Sequence, residues 1–303
     1  MRSFGGTWSE SKLDCVENYA RAYLQVMQKQ HWYSLDYVDA FAGRGKQALR
    51  SGAGAADPEA FFGDESERAD TEEFLVGSAI RALTASMGAA RSFDRFIFID
   101  ADQLSCDELQ SVVDSDFSSV KHTVQVLCED ANTALEGYVA SVDWSSTRAL
   151  VFLDPYGLEV DWELIRKLAA TGACDVWYLF PLGGVIRMMT NSGQIPNAWA
   201  TRLDRLFGTH DWHTEFYKPS PQQLLFGTDD EILLRNASTR HVVDYVRGRL
   251  RTVFAAVSNA GVLRNSKGAP LFALVLGVSN PSPPAQKAAL AIANHLIKDL
   301  SRP

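Results

Sequence analysis

Ala149-Leu150-Val151-Phe152-Leu153-Asp154-Pro155-Tyr156-Gly157 is the stretch on which the fold turns. Its apolar run has the character of a buried strand, and Asp154 to Gly157 set a carboxylate, a rigid bend, a phenol ring and a flexible glycine at that strand's carboxyl end. Open α/β sheets bind their ligands there. An upstream strand ends in a loop of matching character, Tyr37-Val38-Asp39-Ala40-Phe41-Ala42-Gly43-Arg44-Gly45. The pair implies one shared pocket.

Around these two strands a regular alternation extends. Residues 9–28 carry Leu13, Val16, Tyr19, Ala20, Tyr23, Leu24 and Met27 at spacings of three and four, an amphipathic helix with Ser9 at the cap position. A strand over 35–41 gives way to a loop over 43–63 rich in Gly, Ala and Ser, and a second helix is expected over 71–87. Strands are expected over 93–100, 120–128, 148–154 and 175–180, with helices over 104–113, 132–142 and 161–170 between them. Strands rich in Val, Ile, Leu and Phe that alternate with short helices predict a Rossmann-like, doubly wound α/β domain, its mostly parallel sheet covered on both faces. The rhythm breaks over 182–235, which reads as an irregular, partly helical insertion at the sheet's ligand edge. A helix over 239–257, a turn at Asn265-Ser266-Lys267-Gly268 leading into a strand over 271–278, and a last helix over 284–300 complete one domain spanning 1–303.

The bulk composition bounds what this domain does. With 303 residues, 46% hydrophobic and 22% charged, the chain can build one large core. No apolar run approaches the roughly 20 residues of a membrane span, and the first residues lack the apolar segment of a signal peptide, so a cytoplasmic location is expected. The net charge of -8 disfavours an extended nucleic-acid surface, which needs many Lys and Arg contacts. Cys15, Cys106, Cys128 and Cys174 form no C-x-x-C pair and are expected as buried free thiols rather than a zinc site or a disulfide framework.

The strand ends carry the chemistry. Asp39-x-Phe41-x-Gly43-x-Gly45 lets bare backbone approach a ligand, because glycine has no Cβ and tolerates positive φ. The next strand ends in Asp100-Ala101-Asp102, where an acid accepts hydrogen bonds from ribose hydroxyls; Asp102 is equally a helix cap. The third ends in Cys128-Glu129-Asp130-Ala131-Asn132, where Asp130 suits an adenine amino group with Ala131 leaving room for the ring, or again a cap. Glycines, a ribose acid, a base acid and an aromatic clamp in that order point to a nucleoside-type cofactor. Gly43-x-Gly45-x-x-Ala48 nominally fits the dinucleotide fingerprint. Yet no helix is expected directly after it to hold a pyrophosphate, and Asp100 lies much further on than the usual spacing of about 20 residues. A cofactor without phosphates fits better.

The ordered series Asp39-Ala40-Phe41-Ala42-Gly43-Arg44-Gly45, Asp100, Asp130-Ala131 and Asp154-Pro155-Tyr156 resembles the motifs of class I S-adenosylmethionine-dependent methyltransferases. The closing hairpin resembles their antiparallel sixth and seventh strands. The chain as a whole is similar to the three-Cys-motif partner proteins. The likeness rests on Trp8-Ser9-Glu10-x-Lys12-Leu13, Leu153-Asp154-Pro155-Tyr156-Gly157, Asp175-Val176-Trp177-Tyr178-Leu179-Phe180-Pro181-Leu182 and Leu263-Arg264-Asn265-Ser266. The resemblance implies S-adenosyl-L-methionine as cofactor, with the Gly43 and Gly45 backbone at its methionine part, Asp100 at the ribose and Asp130 at the adenine, and Asp39, Phe41, Ala42, Asp102 and Ala131 counted with them as cofactor-binding residues. It implies Asp154, Pro155 and Tyr156 at the reacting end, toward a small-molecule, nucleoside or nucleic-acid nitrogen or oxygen. It equally implies a partner of a radical-SAM-like three-cysteine protein, and a transferase acting on an RNA-linked substrate is a third reading. Asp154-Pro155-Tyr156-Gly157 departs from the D-P-P-Y tetrad of amino-group methyltransferases: Tyr156 takes the second proline's place and Gly157 the aromatic's.

Transfer of a sulfonium methyl asks mainly for alignment, with one acceptor for the leaving proton. Lys12 with Trp8, and Arg264 with Asn265, either form a substrate mouth or anchor the first helix and cap the hairpin. His210-Asp211-Trp212-His213 lacks the four-residue spacing and third ligand of a zinc helix. Trp162, Trp177, Tyr178 and Phe180 are expected in the core, whereas Trp199 and Trp212 in the insertion are the aromatics expected to meet a substrate or partner. No G-x-S-x-G elbow is present.

Overall fold

Apolar runs buried on both faces build the sheet of a computed structural model that describes residues 7–44, 77–219, 233–265 and 267–300, with side chains from residue 12 onward except at 299. The strands are β1 (Ser34–Asp39), β2 (Arg95–Asp100), β3 (Val124–Cys128), β4 (Thr147–Leu153), β5 (Cys174–Phe180), β6 (Tyr217–Pro219), β7 (Leu233–Arg235), β8 (Ala256–Arg264) and β9 (Pro270–Val278). Seven of them form one sheet in the order β3-β2-β1-β4-β5-β9-β8, while β6 and β7 pair separately. β1 to β5 are mutually parallel, and β9 enters antiparallel between β5 and β8.

On β4, Ala149, Val151 and Leu153 face one layer and Leu150 and Phe152 the other. The second layer holds α1 (Thr7–Met27), α2 (Ser78–Met87) and α3 (Gln103–Asp116). The first holds α4 (Ala131–Ser141), α5 (Trp162–Ala170), α6 (Leu182–Met188), α7 (Asn197–Phe207), α8 (Asp211–Phe216) and α9 (Thr239–Arg251). α10 (Pro283–Leu300) returns to the side of α1. The expected Rossmann-like α/β architecture with a mostly parallel, doubly covered sheet is the one found. Among the described residues no helix is long and apolar enough to cross a membrane.

Several boundaries differ from the sequence expectation. The helix expected over 239–257 ends at Arg251, because Ala256 and Val257 pair with Val278 and Gly277 of β9. Phe254 fills the space over Gly277, where a Cβ would lie 2.6 Å from its ring. Sheet pairing overrides an apolar run that alone continues the helix. β3 starts at Val124 after a short 3₁₀ turn, Lys121–Thr123, rather than at 120. Of the helix expected over 71–87, the part before Gly77 lies outside the described residues.

The described parts of the insertion after β5 are tied to one another. Arg235 donates to the carbonyls of Ile186 and Met189, and Tyr217 donates to that of Thr190. Trp212, expected at a contact surface, is fully buried among Phe207 and Phe216 with its indole N–H on Asp204, so it is a core residue. α7 closes on Gly208 (φ 66°), where a Cβ would lie 2.0 Å from the ring of Trp162. Of the four free thiols, Cys15, Cys106 and Cys174 are buried as expected and Cys128 is exposed at the end of β3.

Candidate functional site

The tips of β3, β2, β1 and β4 lie side by side, so Asp130, Asp100, Asp39 and Asp154 follow one another along a single sheet edge. They divide into an enclosed pair and an open pair.

Asp39 and Asp154 have no solvent exposure. α1 carries the ammonium of Lys12, itself wholly buried, to Asp154, where it donates to Oδ2 above the ring of Phe152. Asp154 Oδ1, Asp39 Oδ2, Ser78 Oγ and the Tyr37 hydroxyl are buried with no hydrogen-bond partner among the described residues. Ser78 stands near enough to Asp39 to lower its pKa without reaching hydrogen-bond geometry.

Burial disfavours every charge in this group. It lowers Lys12 to about 8 against the opposing pull of Asp154, and raises Asp39 to about 7 and Asp154 in the same sense. One ammonium cannot balance two carboxylates. Asp39, raised to about 7, titrates near neutrality.

The open pair is fixed by backbone. Asp39 Oδ1 accepts from Phe41 N at 3.3 Å, and Ala42 N donates to Ile99 O at 2.9 Å. Gly43 then turns at φ 60° so that its N–H meets Asp100 Oδ2 at 3.0 Å. Only glycine adopts that turn without strain. Asp100 Oδ1 takes the N–H of Asp102 at 2.8 Å, so both carboxylate oxygens already brace the loops on either side. Burial raises Asp100, while these donors and Arg44 hold it down.

Asp102 caps α3 through Ser105 N and Oγ, and Asp130 caps α4 through Thr133 N at 3.0 Å. Each has an exposed carboxylate with further acceptor capacity. Ala131 is buried behind Asp130, and Phe41 is half-buried. Gly45 lies outside the described residues.

The loop after β4 adds a residue the sequence reading missed. Glu159 is exposed, yet surrounding protein raises its carboxyl, with Asp100 and Asp130 contributing and the N–H groups of Gly157 and Tyr156 opposing. Asn132 locks this loop to α4, donating to Glu159 O and accepting from Asp161 N. The only sequence signal for Glu159 was an acid two positions beyond Gly157. Pro155 is buried and Tyr156 half-buried beside it.

Two further candidates stand in the hairpin turn, at the same carboxyl edge of the sheet beyond β5. Asn265 is buried in the hairpin turn, where its Oδ1 accepts from Lys267 N and Ala269 N, and Arg264 donates to Gly268 O in the same turn. Lys12 points inward to Asp154, and the side chain of Trp8 lies outside the described residues. His210 bonds Asp204 and stacks on His213.

No protein-family model matches the chain, and no curated protein matches it significantly. It is similar to a Legionella pneumophila str. Philadelphia 1 protein of the DUF519 family, with 12% identity over 94% of this chain and 92% of that one, at a TM-score of 0.44. A conserved hypothetical protein of Streptococcus pyogenes shares 16% identity over 52% and 75% of the respective chains, at a TM-score of 0.29. The protein EvdMO1 shares 10% identity over 87% of this chain and 40% of its own, at a TM-score of 0.35. Likenesses this loose assign no activity.

Proposed function

We propose that this protein binds S-adenosyl-L-methionine at the tips of β1 to β4 and acts as a methyltransferase on a nitrogen or oxygen of a small-molecule or nucleoside-type acceptor. The supporting observation is the donor and acceptor balance of the edge. Asp100, Asp102, Asp130 and Glu159 gather there with Arg44 bridging Asp102 and Glu108. Such an edge accepts hydrogen bonds from the hydroxyls and amino group of an adenosine and repels phosphates. A sulfonium cofactor fits it; a pyrophosphate does not.

On this reading Asp39, Phe41, Ala42, Gly43 and Gly45 border the methionine part, Asp100 and Asp102 the ribose, and Asp130 and Ala131 the adenine. The bound cofactor supplies an activated methyl group. What the chain contributes is alignment, and exclusion of water by the loop over Asp154, Pro155 and Tyr156. The insertion over 182–235 leaves the tip of β5 and borders the acceptor side as a cover. Asp154 accepts the acceptor's proton only if α1 withdraws Lys12.

That pairing favours a second reading, in which the fold serves as partner to a radical-SAM-like three-cysteine protein without transferring methyl groups. Calorimetric titration with S-adenosylmethionine and S-adenosylhomocysteine tests the first claim. Saturable heat supports it, and silence from folded protein with both compounds sinks it. Mass spectrometry of a nucleoside and amine panel incubated with cofactor separates the two readings: a product heavier by one methyl requires the enzyme.

A further inference from the structure

At the opposite end of the sheet, a cavity of about 470 Å³ opens between α1, α10 and the starts of β4 and β5. Its size lies within the usual range for small-molecule sites. It exists because α10 presents Ala285, Ala288 and Ala289 toward Tyr19, Tyr23 and Met27 of α1. Small side chains on one helix leave room that large ones on the other do not fill.

Two opposite charges line this space without meeting. Arg148 and Asp175 sit on adjacent parallel strands, and the register Leu150↔Asp175 puts them on the same face, one diagonal step of about 8 Å apart between Cα atoms. Arg148 is held by the Tyr33 ring, 3.7 Å from its guanidinium, and by the carbonyls of Trp144 and Thr147, both through Nη1. Its Nε and Nη2 bond nothing among the described residues. Asp175 is held by the Tyr19 hydroxyl at 2.8 Å on Oδ2, while Oδ1 has no partner there. Tyr23, more than nine-tenths buried, also lines the cavity with a hydroxyl that bonds nothing among the described residues, within electrostatic reach of both Asp175 and Arg148. Opposed charges this near, each with spare hydrogen-bonding capacity and kept apart by aromatic supports, match a ligand carrying both signs.

We propose that this cavity binds a small zwitterion of the α-amino-acid type, its ammonium on Asp175 and the Tyr23 hydroxyl, its carboxylate on Arg148, and its apolar side chain between Met27 and the alanines of α10. The site shares no residue with the strand tips, so its fate is independent of the cofactor reading.

Titration of the full chain with L-phenylalanine, followed by calorimetry, should give saturable binding at about millimolar affinity or tighter. Phenethylamine and 3-phenylpropionate, each lacking one charge, should bind about tenfold more weakly. Asp175→Asn should cause a similar loss. Ala288→Leu fills the groove at a half-exposed position without touching either charge, and should weaken binding about tenfold while the circular dichroism melt stays unchanged. Equal affinity for the three probes, binding unmoved by Ala288→Leu, or no saturable binding of L-phenylalanine up to about 10 mM would overturn the proposal.

Discussion

Near its start α1 delivers Lys12 directly onto Asp154, whereas two turns later the same helix meets Asp175 with the neutral phenol of Tyr19 and leaves Arg148 on the neighbouring strand without an acidic partner among the described residues. Asp154 is buried and Asp175 partly buried under one helix, and desolvation raises both. The outcomes differ because of what the helix carries. A cation on a flexible stem reaches a strand tip and closes the space around it; a rigid ring satisfies one oxygen and leaves a hollow beside the other. The closed end holds its charges together at a desolvation cost, and the open end keeps them apart and accessible to a ligand.

Removing the cation should give the largest effect. Lys12→Met leaves Asp39 and Asp154 buried without compensation and should cost about 3–5 kcal/mol, read from the shift of a denaturant unfolding curve. Adding Asp154→Leu should recover most of that loss. Unchanged stability in the single variant would mean that the tip cluster, like the Asp175 end, is not held by its charges.

The next test uses pH. Asp175 sits at about 6 in the folded chain against an ordinary value of 3.8, so the folded state binds this proton more tightly than the unfolded state does. The stability it contributes is present below about pH 4 and is lost as pH rises through 6, at a slope of at most about 1.4 kcal/mol per pH unit. Asp175→Asn should remove that decline from a series of unfolding curves between these pH values. An identical pH profile in the variant would show that Asp175 is not a titrating group here.

Tyr19→Phe should cost about 2 kcal/mol, because the hydrogen bond it deletes goes to a partly buried carboxylate. It should also move the decline toward higher pH, since the Tyr19 hydroxyl lowers the Asp175 pKa. The smallest change is expected at the open edge. Asp130→Ala should cost only about 1 kcal/mol in melting experiments, the worth of the α4 cap, while weakening any adenosine ligand by more than the loss of stability explains.

The strands, their parallel order and the acids at their tips were legible because each rests on local patterning: an apolar run, then Asp39, Asp100, Asp130 or Asp154. The caps made by Asp102 and Asp130 were legible for the same reason, as a capping side chain acts within three residues of itself. Trp212 misled because a polar, histidine-rich neighbourhood in sequence says nothing of the aromatic cluster assembled around it by α7, α8 and α9. The end of α9 misled because Ala256 and Val257 are claimed by β9, which comes later in the chain.

By itself the sequence determined which residues form strands and helices and which side chains stand at the carboxyl edge, since periodicity and turn chemistry act over a few residues. Only the tertiary structure decided that Lys12 neutralises Asp154 across 142 residues of separation and that Tyr19 holds Asp175 across 156. The physical reason is desolvation. Whether a charge is paired, shifted or left facing a cavity depends on what covers it, and that cover comes from distant segments of the chain.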